Sequence, residues 1–186
     1  MAYKEIELKF KIDEKVKKEI MAFLSGVATK TVSLHQVDTY YIPYFKNFEV
    51  DGKTRECVRI REEGEKLILG YKKIHYEADP VYCDEFETLI DSKEAMEKIL
   101  FALGFEVQMV IDKERESYYH AELEFDFDTV KGLGDFMEVE VKGEDATLDK
   151  IFAFVEPYGI TKDSVIYDGI QKLMKEAMQK KEYNED

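Results

Sequence analysis

Hydrophobic and charged residues alternate strictly in the segment 5–12, whose sequence is EIELKFKI. Ile6, Leu8 and Phe10 share one side of an extended chain, because successive side chains of a β-strand point to opposite faces. The same alternation recurs in five later segments: around Arg59 and Arg61, Glu85 and Glu87, Lys113 and Arg115, Glu122 to Asp128, and Glu138 to Lys142. The pattern predicts strands that each have one apolar face and one charged face.

Eight segments have the composition of strands, and four have the periodicity of amphipathic helices. The predicted strands are 4–12, 36–42, 54–62, 66–74, 82–90, 107–119, 121–128 and 136–142, and the predicted helices are about 13–25, 92–103, 148–156 and 162–178. Asp51-Gly52 and Glu63-Gly64 are typical of hairpin turns. Because most strands are joined by short turns, the sequence predicts an α+β fold with a largely antiparallel sheet. Closing that sheet into an eight-stranded barrel would remove its edges and leave a lumen.

The composition suits one domain with a substantial apolar core, since the chain has 186 residues of which 45% are hydrophobic. We expect a single domain over 1–180 and a disordered tail over 181–186. No apolar run approaches the 18 or so residues of a membrane span and no secretory signal is visible, so a cytoplasmic protein without membrane contact is expected.

The net charge of −14 disfavours binding to a nucleic acid polymer. Cys57 and Cys83 lack the CxxC spacing of a metal or redox motif, so reduced thiols are expected. The three histidines are scattered, which argues against a zinc site.

The charged faces are compatible with two interpretations. An antiparallel sheet commonly has one face in water, so each strand taken alone fits a solvent-facing surface. Against this, nearly every alternate position is charged and the signs come in blocks. The acidic blocks are Glu5/Glu7, Asp126/Asp128 and Glu138/Glu140, and the basic blocks are Lys9/Lys11, Arg59/Arg61 and Lys113/Arg115. Carboxylates suit hard divalent cations and basic groups suit phosphate oxygens, so the two together indicate a metal–phosphate site.

The order of these blocks resembles the CYTH superfamily, the triphosphate tunnel metalloenzymes. The matching motifs are ExExK at 5–9, DTYY at 38–41, RIR at 59–61, YKK at 71–73, EFE at 85–87, KxR at 113–115 and DTVKGLGDFMEVE at 128–140. The resemblance covers most of 3–142. SVIYD at 164–168 is similar to the SYSDLL segment of the class IV adenylyl cyclase branch, although two residues separate its Ser from its Tyr.

The resemblance implies an eight-stranded antiparallel β-tunnel with helices packed outside, and it implies roles for individual residues. Glu5, Glu7 and Lys9 would be catalytic; Glu7, Asp128, Glu138 and Glu140 would hold Mg²⁺ or Mn²⁺; Lys9, Arg59, Arg61, Lys72, Lys113 and Arg115 would bind the triphosphate. Lys11, Asp38, Glu85 and Glu87 are weaker candidates. Glu122, Glu124 and Asp126 share the charged face, but the family motif singles out Asp128.

The resemblance favours an adenylyl cyclase-like enzyme that converts ATP to cyclic AMP and pyrophosphate. A hydrolase of tripolyphosphate, thiamine triphosphate or a nucleoside triphosphate is the alternative, and a non-catalytic polyphosphate or nucleotide sensor is a third. Tyr40 or Tyr41 would either stack on a base or pack in the core. The sequence does not decide between a monomer and a homodimer.

Overall fold

The computed structural model describes residues 6–78, 81–141 and 146–184. Its strands are β1 (Ile6–Lys11), β2 (Thr29–Pro43), β3 (Glu49–Val50), β4 (Lys53–Thr54), β5 (Glu56–Glu63), β6 (Lys66–His75), β7 (Tyr82–Leu89), β8 (Phe105–His120), β9 (Leu123–Val130), β10 (Gly134–Val141) and β11 (Val165–Ile166). Its helices are α1 (Glu14–Val27), α2 (Lys93–Ala102), α3 (Leu148–Val155) and α4 (Ile170–Asn184). None of the described helices is long and apolar enough to cross a bilayer.

The large sheet has nine strands in the order β11-β1-β10-β9-β8-β2-β5-β6-β7, and its described pairs are antiparallel. It curls into a half-barrel, which brings β7 close to β1. The predicted α+β antiparallel fold is therefore confirmed. The strand count differs from the predicted eight because β11 extends the sheet beyond β1. Among the described residues, β7 and β1 are near each other without forming a hydrogen-bonded ladder.

Both predicted hairpin turns are present. Asp51 and Gly52 join β3 to β4 with φ angles of 51° and 70°, and Gly64 joins β5 to β6 with a φ of 58°. Positive φ at these positions matches the right-handed twist of the flanking strands, and glycine adopts it without a steric cost from Cβ.

The outward apolar faces of β1, β9 and β10, and of the middle of β2 and β5, are covered by helices, whereas outward residues such as Phe86 and Val110 are exposed. The Asp13 carboxylate caps α1 by accepting from the Val16 backbone N–H at 2.8 Å. Helices α1 and α3 pack on one side of the sheet, and α2 packs on another around Tyr41. The fully buried residues of the first cluster include Phe10, Ile20, Leu24, Phe125, Val139, Ile151 and Val155. Tyr41 lies in the core, and its hydroxyl donates to Glu97 at 2.7 Å.

Helix α4 departs from the prediction in its start and its position. It begins at Ile170 and not at 162, because residues 162–164 form a single 3₁₀ turn and Val165–Ile166 then pair with β1. Two β-branched residues beside an otherwise unpaired edge favour this short strand over a helix. The first turns of α4 pack against inward-facing residues and not outside the sheet. The contacts join Ile170, Leu173 and Met174 to the cluster of Tyr40, Ile111, Val130 and Phe136.

Candidate active site

The charged faces of the strands look inward onto one cavity of about 350 Å³. Because β1 buries Leu8 and Phe10 against the outer helices, its alternate residues Glu7 and Lys9 must face the cavity. The other charged residues that line it are Arg59, Arg61, Lys72, Glu85, Glu87, Lys113, Arg115, Glu124, Asp126, Asp128, Glu138, Glu140 and Asp168. The alternation is thus explained by an enclosed polar interior, and the solvent-facing interpretation is wrong for these strands.

The structure brings together every predicted site residue that it describes. Glu5 lies outside the described residues. Among the weaker candidates, Glu85 and Glu87 line the cavity. Lys11 lies instead over the Phe136 ring, 5.8 Å from its centroid, and Asp38 lies behind the arginines of β5. Glu122 is on the surface and pairs with Lys150 at 2.9 Å.

Arg115 is the centre of the ion-pair network. Its guanidinium donates to Asp128 through Nε and Nη2, each at 2.6 Å, to Asp126 through Nη1 at 2.5 Å, and to Glu138 through Nη2 at 2.7 Å. Lys113 donates to the same Asp128 carboxylate at 2.7 Å. Two cations and three carboxylates therefore fix one another with the geometry that charge-assisted hydrogen bonds favour.

A second network follows the opposite wall. Arg59 contacts Glu87 at 3.0 Å and Glu85 at 3.4 Å, and Lys72 contacts Glu85 at 2.7 Å. Burial by itself would lower the pKa of Lys72, but nearby Glu7 and Glu85 raise it above its usual value. Gly70 lies between these groups, where a Cβ would come within 3.3 Å of the Glu87 carboxylate. Its small size therefore leaves room for the charged side chains.

Burial and neighbouring charges change the pKa values in the first network. Desolvation and the adjacent Arg115 cation lower the pKa of Lys113 to about 8. Burial would raise the pKa of Glu138, but Lys9 at 3.1 Å and Arg115 hold it well below the usual value. Desolvation raises the pKa of Asp126 despite its contact with Arg115. Strongly perturbed groups that share a cavity are typical of functional sites.

Asp38 holds Arg61 in place. The Arg61 guanidinium donates to both carboxylate oxygens of Asp38, at 2.7 and 2.8 Å, and both residues are buried. Burial would raise the pKa of Asp38, but the hydrogen bonds from Arg61 and the charge of Arg59 lower it to about 2. Asp38 is thus placed to orient a cavity cation from behind, since it does not line the cavity itself.

Replacing Asp38 with asparagine is expected to lower the free energy of unfolding at pH 7 by about 2 kcal/mol, because the native pKa of about 2 lies below the ordinary aspartate value of about 3.9. A depressed pKa stabilises the fold above about pH 4, and that contribution disappears as the pH falls toward 2. Urea denaturation of both proteins from pH 7 to pH 3 should therefore show a shrinking difference. Asp91→Asn, on an exposed loop, is the control. A difference independent of pH would contradict this role.

The donor chemistry of the cavity fits a hard divalent cation that a phosphate ligand shares. Glu7 lies opposite Glu140, and Glu140 lies opposite Glu124, in the register of β1, β10 and β9. Like charges directly opposite each other are unfavourable unless a cation offsets them. No three acidic, histidine or cysteine side chains converge on one point within the described ranges. Carboxylates that meet in pairs and not in larger groups suit Mg²⁺, because this ion usually takes one or two carboxylates and completes its octahedron with water and phosphate oxygens.

The balance of charge in the cavity also favours a phosphate ligand that is accompanied by divalent cations. Among the described residues, nine carboxylates and six cationic side chains line the cavity, which leaves a formal excess of three negative charges. Such a cavity attracts cations and would repel a free polyanion. A polyanion accompanied by divalent cations would be accommodated.

The segment 165–171 also lines the cavity and was not predicted to do so. It carries no strand alternation, and the sequence assigned it to the middle of a helix. The nearest signal was the imperfect SVIYD motif. Cys57 and Cys83 line the cavity as well, and burial raises the pKa of each thiol. Of the two tyrosines that were expected either to stack on a base or to pack, Tyr40 lines the cavity, with its ring buried against Ile111, Val130 and Phe136.

A curled antiparallel sheet around an interior of paired acidic and basic side chains defines a class of polyphosphate-binding tunnel proteins. The chain belongs to the CYTH domain family, whose family model matches residues 3–167. A Methanocaldococcus jannaschii protein named "Putative adenylate cyclase MJ0240" is 31% identical over 168 residues, which cover 87% of this chain and 93% of that one.

Two solved structures have similar folds. The PH1012 protein of Pyrococcus horikoshii superposes with a TM-score of 0.76 at 24% identity, covering 91% of this chain and 98% of that one. The Hippeastrum protein HpAC1 superposes with a TM-score of 0.63 at 17% identity, covering 91% of each chain. Its structure is titled as that of a "putative adenylyl cyclase" with a dominant triphosphatase activity. At these identities the two structures support the fold alone.

Proposed function

We propose that this protein is a divalent-metal-dependent enzyme that converts ATP to cyclic AMP and pyrophosphate. The observation that carries the proposal is the gathering of six cationic side chains and an excess of carboxylates around one cavity. A pure anion binder has no need of the carboxylates, whereas phosphoryl transfer is catalysed largely by positioning and by charge neutralisation. The 31% identity to the protein named "Putative adenylate cyclase MJ0240" favours this reaction over others.

In this reaction the ribose 3′-oxygen forms a bond to the α-phosphorus, and the bond from the α-phosphorus to the bridging oxygen breaks. Pyrophosphate leaves with that electron pair, and the 3′-hydroxyl proton passes to solvent or to a cavity carboxylate. Lys9, Lys72 and Arg59 would hold phosphate oxygens along one wall. Arg61, Lys113 and Arg115 would do so along the other. Glu5 and Glu7 would complete the ExExK motif with Lys9.

Mg²⁺ or Mn²⁺, when bound, would neutralise charge that develops on the phosphate oxygens. Glu7, Glu138, Glu140 and Asp128 are the proposed ligands, with one or two of them to each ion, since no three described acidic side chains converge on one point. Because Asp128 and Glu138 are bound to Arg115 here, the guanidinium must share them with any cation or give them up. A phosphate group entering the cavity would give Arg115 a replacement partner.

Hydrolysis is the second candidate. The fold is shared with HpAC1, whose title records a dominant triphosphatase activity. The same cavity could direct water to the γ-phosphorus and release orthophosphate. The distinction depends on which end of the substrate lies against Lys9 and which group reaches the reacting phosphorus.

The purified protein with Mg²⁺ or Mn²⁺ is expected to release equal amounts of cyclic AMP and pyrophosphate from ATP. Chromatography would quantify both products, and the same incubations with tripolyphosphate and thiamine triphosphate would be analysed for orthophosphate. Orthophosphate without cyclic AMP would reject the cyclase and support hydrolysis. Tight ligand binding without any product would indicate a sensor. Addition of EDTA is expected to abolish turnover.

A further inference from the structure

A polar side chain at the start of α4 lines the cavity without a hydrogen bond to any residue that the structure describes. Gln171, in the first turn of α4, is 7% exposed and lines the cavity. Its side-chain amide makes no hydrogen bond to any other residue in the ranges that the structure describes. The fully buried side-chain polar atom without a partner among the described residues is Gln36 Oε1, so the Gln171 amide keeps some contact with solvent. A ligand that displaced this solvent without pairing with the amide would bind less well, because an unpaired buried amide costs free energy. An unpaired amide facing a ligand cavity is therefore suited to pair with the ligand.

The surroundings of Gln171 differ from the rest of the cavity. Apolar and aromatic groups make up most of this end, where Asp168 is paired with Lys172, whereas the other charged groups lie along the strands. The apolar lining consists of Tyr40, Phe136, Val165, Ile166 and Ile170. A phosphate group would be poorly solvated here, while a flat ring would bury its faces favourably. The cavity thus has an ionic part for phosphates and an apolar part with one amide.

The start of α4 is held in place by other contacts. The Tyr76 hydroxyl donates to the Tyr167 carbonyl at 3.1 Å, and Lys172 holds the Asp168 carboxylate at 3.0 Å. Gly169 gives the amide its space, because a Cβ at that position would lie 2.6 Å from the Gln171 Oε1 atom. These contacts hold the backbone that carries Gln171, and Gly169 leaves room for its amide.

We propose that Gln171 binds the edge of a nucleobase and so makes the substrate a nucleoside triphosphate. An amide presents one donor and one acceptor side by side, and it pairs with a base edge that offers the complementary pair, as adenine does at N6 and N7. This inference rests on the proposed function, since it assigns the organic end of a substrate whose phosphates lie among Arg59, Lys72 and Arg115. Gln171 is a specificity residue, and no bond-making step requires it.

The test compares two ligands that share a phosphate chain. One is ATP with imido groups at both bridging positions, and the other is diimidotriphosphate, which lacks the nucleoside. Calorimetry with Mg²⁺ would give both dissociation constants for the wild type and for Gln171→Met. Loss of the paired amide is expected to weaken the nucleotide about 10- to 100-fold and to change the diimidotriphosphate constant less than about 2-fold.

Two further variants strengthen the test. Gly169→Ala keeps the glutamine but displaces its amide, so it should weaken the nucleotide in the same selective way. Gln108→Met removes an exposed glutamine that lines only a smaller neighbouring cavity, which Gln171 also borders, and it should change neither constant.

Each outcome separates the possibilities. Equal weakening of both ligands in Gln171→Met would overturn the inference and show that the amide is structural. Unchanged nucleotide binding would also overturn it. A wild type that binds diimidotriphosphate but not the nucleotide would contradict this inference while leaving a triphosphate enzyme intact. A wild type that binds neither would contradict the proposed function and this inference with it.

Discussion

Replacing Lys9 with alanine is expected to lower kcat/KM for ATP by about 10²- to 10³-fold while the protein stays folded. Removal of one preorganised charged contact to a reacting phosphate has an effect of this size. The structure explains why folding should survive: Lys9 pairs with Glu138 at 3.1 Å, and Glu138 keeps Arg115 as a second partner at 2.7 Å. Steady-state assays of the products, together with urea denaturation, would measure both effects.

Lys98→Ala is the matched control for that experiment. Lys98 lies on the exposed face of α2, where it pairs with Glu94 one turn away at 2.6 Å. Such surface pairs contribute little to stability, so activity and unfolding should both stay near the wild-type values. Wild-type turnover in Lys9→Ala would remove the ExExK lysine from the mechanism.

Replacing Arg115 with alanine is expected to lower the free energy of unfolding by about 3–5 kcal/mol, as breaking a buried ion pair does. The change leaves Asp126, Asp128 and Glu138 without their shared guanidinium in a confined interior. Arg115→Lys should recover only part of the loss, because one ammonium lacks the planar fork that reaches all three carboxylates. Urea denaturation at neutral pH would give the values.

Arg55→Ala provides the comparison for Arg115. The Arg55 guanidinium pairs with Glu77 at 3.1 Å, where the glutamate is mostly exposed, so a loss of about 1 kcal/mol or less is expected. Similar losses in the two variants would mean that the Arg115 network is as well hydrated as the surface. In that case the cavity could not strengthen contacts to a phosphate in the way the mechanism needs.

The strands could be predicted from the sequence because their two faces differ so sharply. In β1 the alternation defines both the strand and the direction of Glu7 and Lys9. The start of α4 could not be predicted in this way. Its short neighbour, Val165–Ile166, is a strand only because it pairs with Lys9 and Phe10, and that partnership depends on tertiary contacts.

The charged residues of the site could be predicted from the sequence, and its amide and supporting carboxylate could not. Charged blocks identified the groups around Arg115, whereas the amide of Gln171 gave no signal, since one glutamine in a polar helix is ordinary. The bidentate pairing of Asp38 with Arg61 was also not apparent. Asp38 was a weaker candidate, and only the register of β2 with β5 makes it the support of a cavity cation.

The neighbours of β1 have a consequence for how the protein is made. β1 leaves the ribosome well before its partners β10 and β11, which lie more than a hundred residues later in the chain. Until then its apolar side, with Leu8 and Phe10, lacks its cover and both of its backbone edges are open. Contacts between such distant segments form slowly and leave nascent chains prone to association. Chaperones should therefore be needed to protect β1 until β10 and β11 have been made.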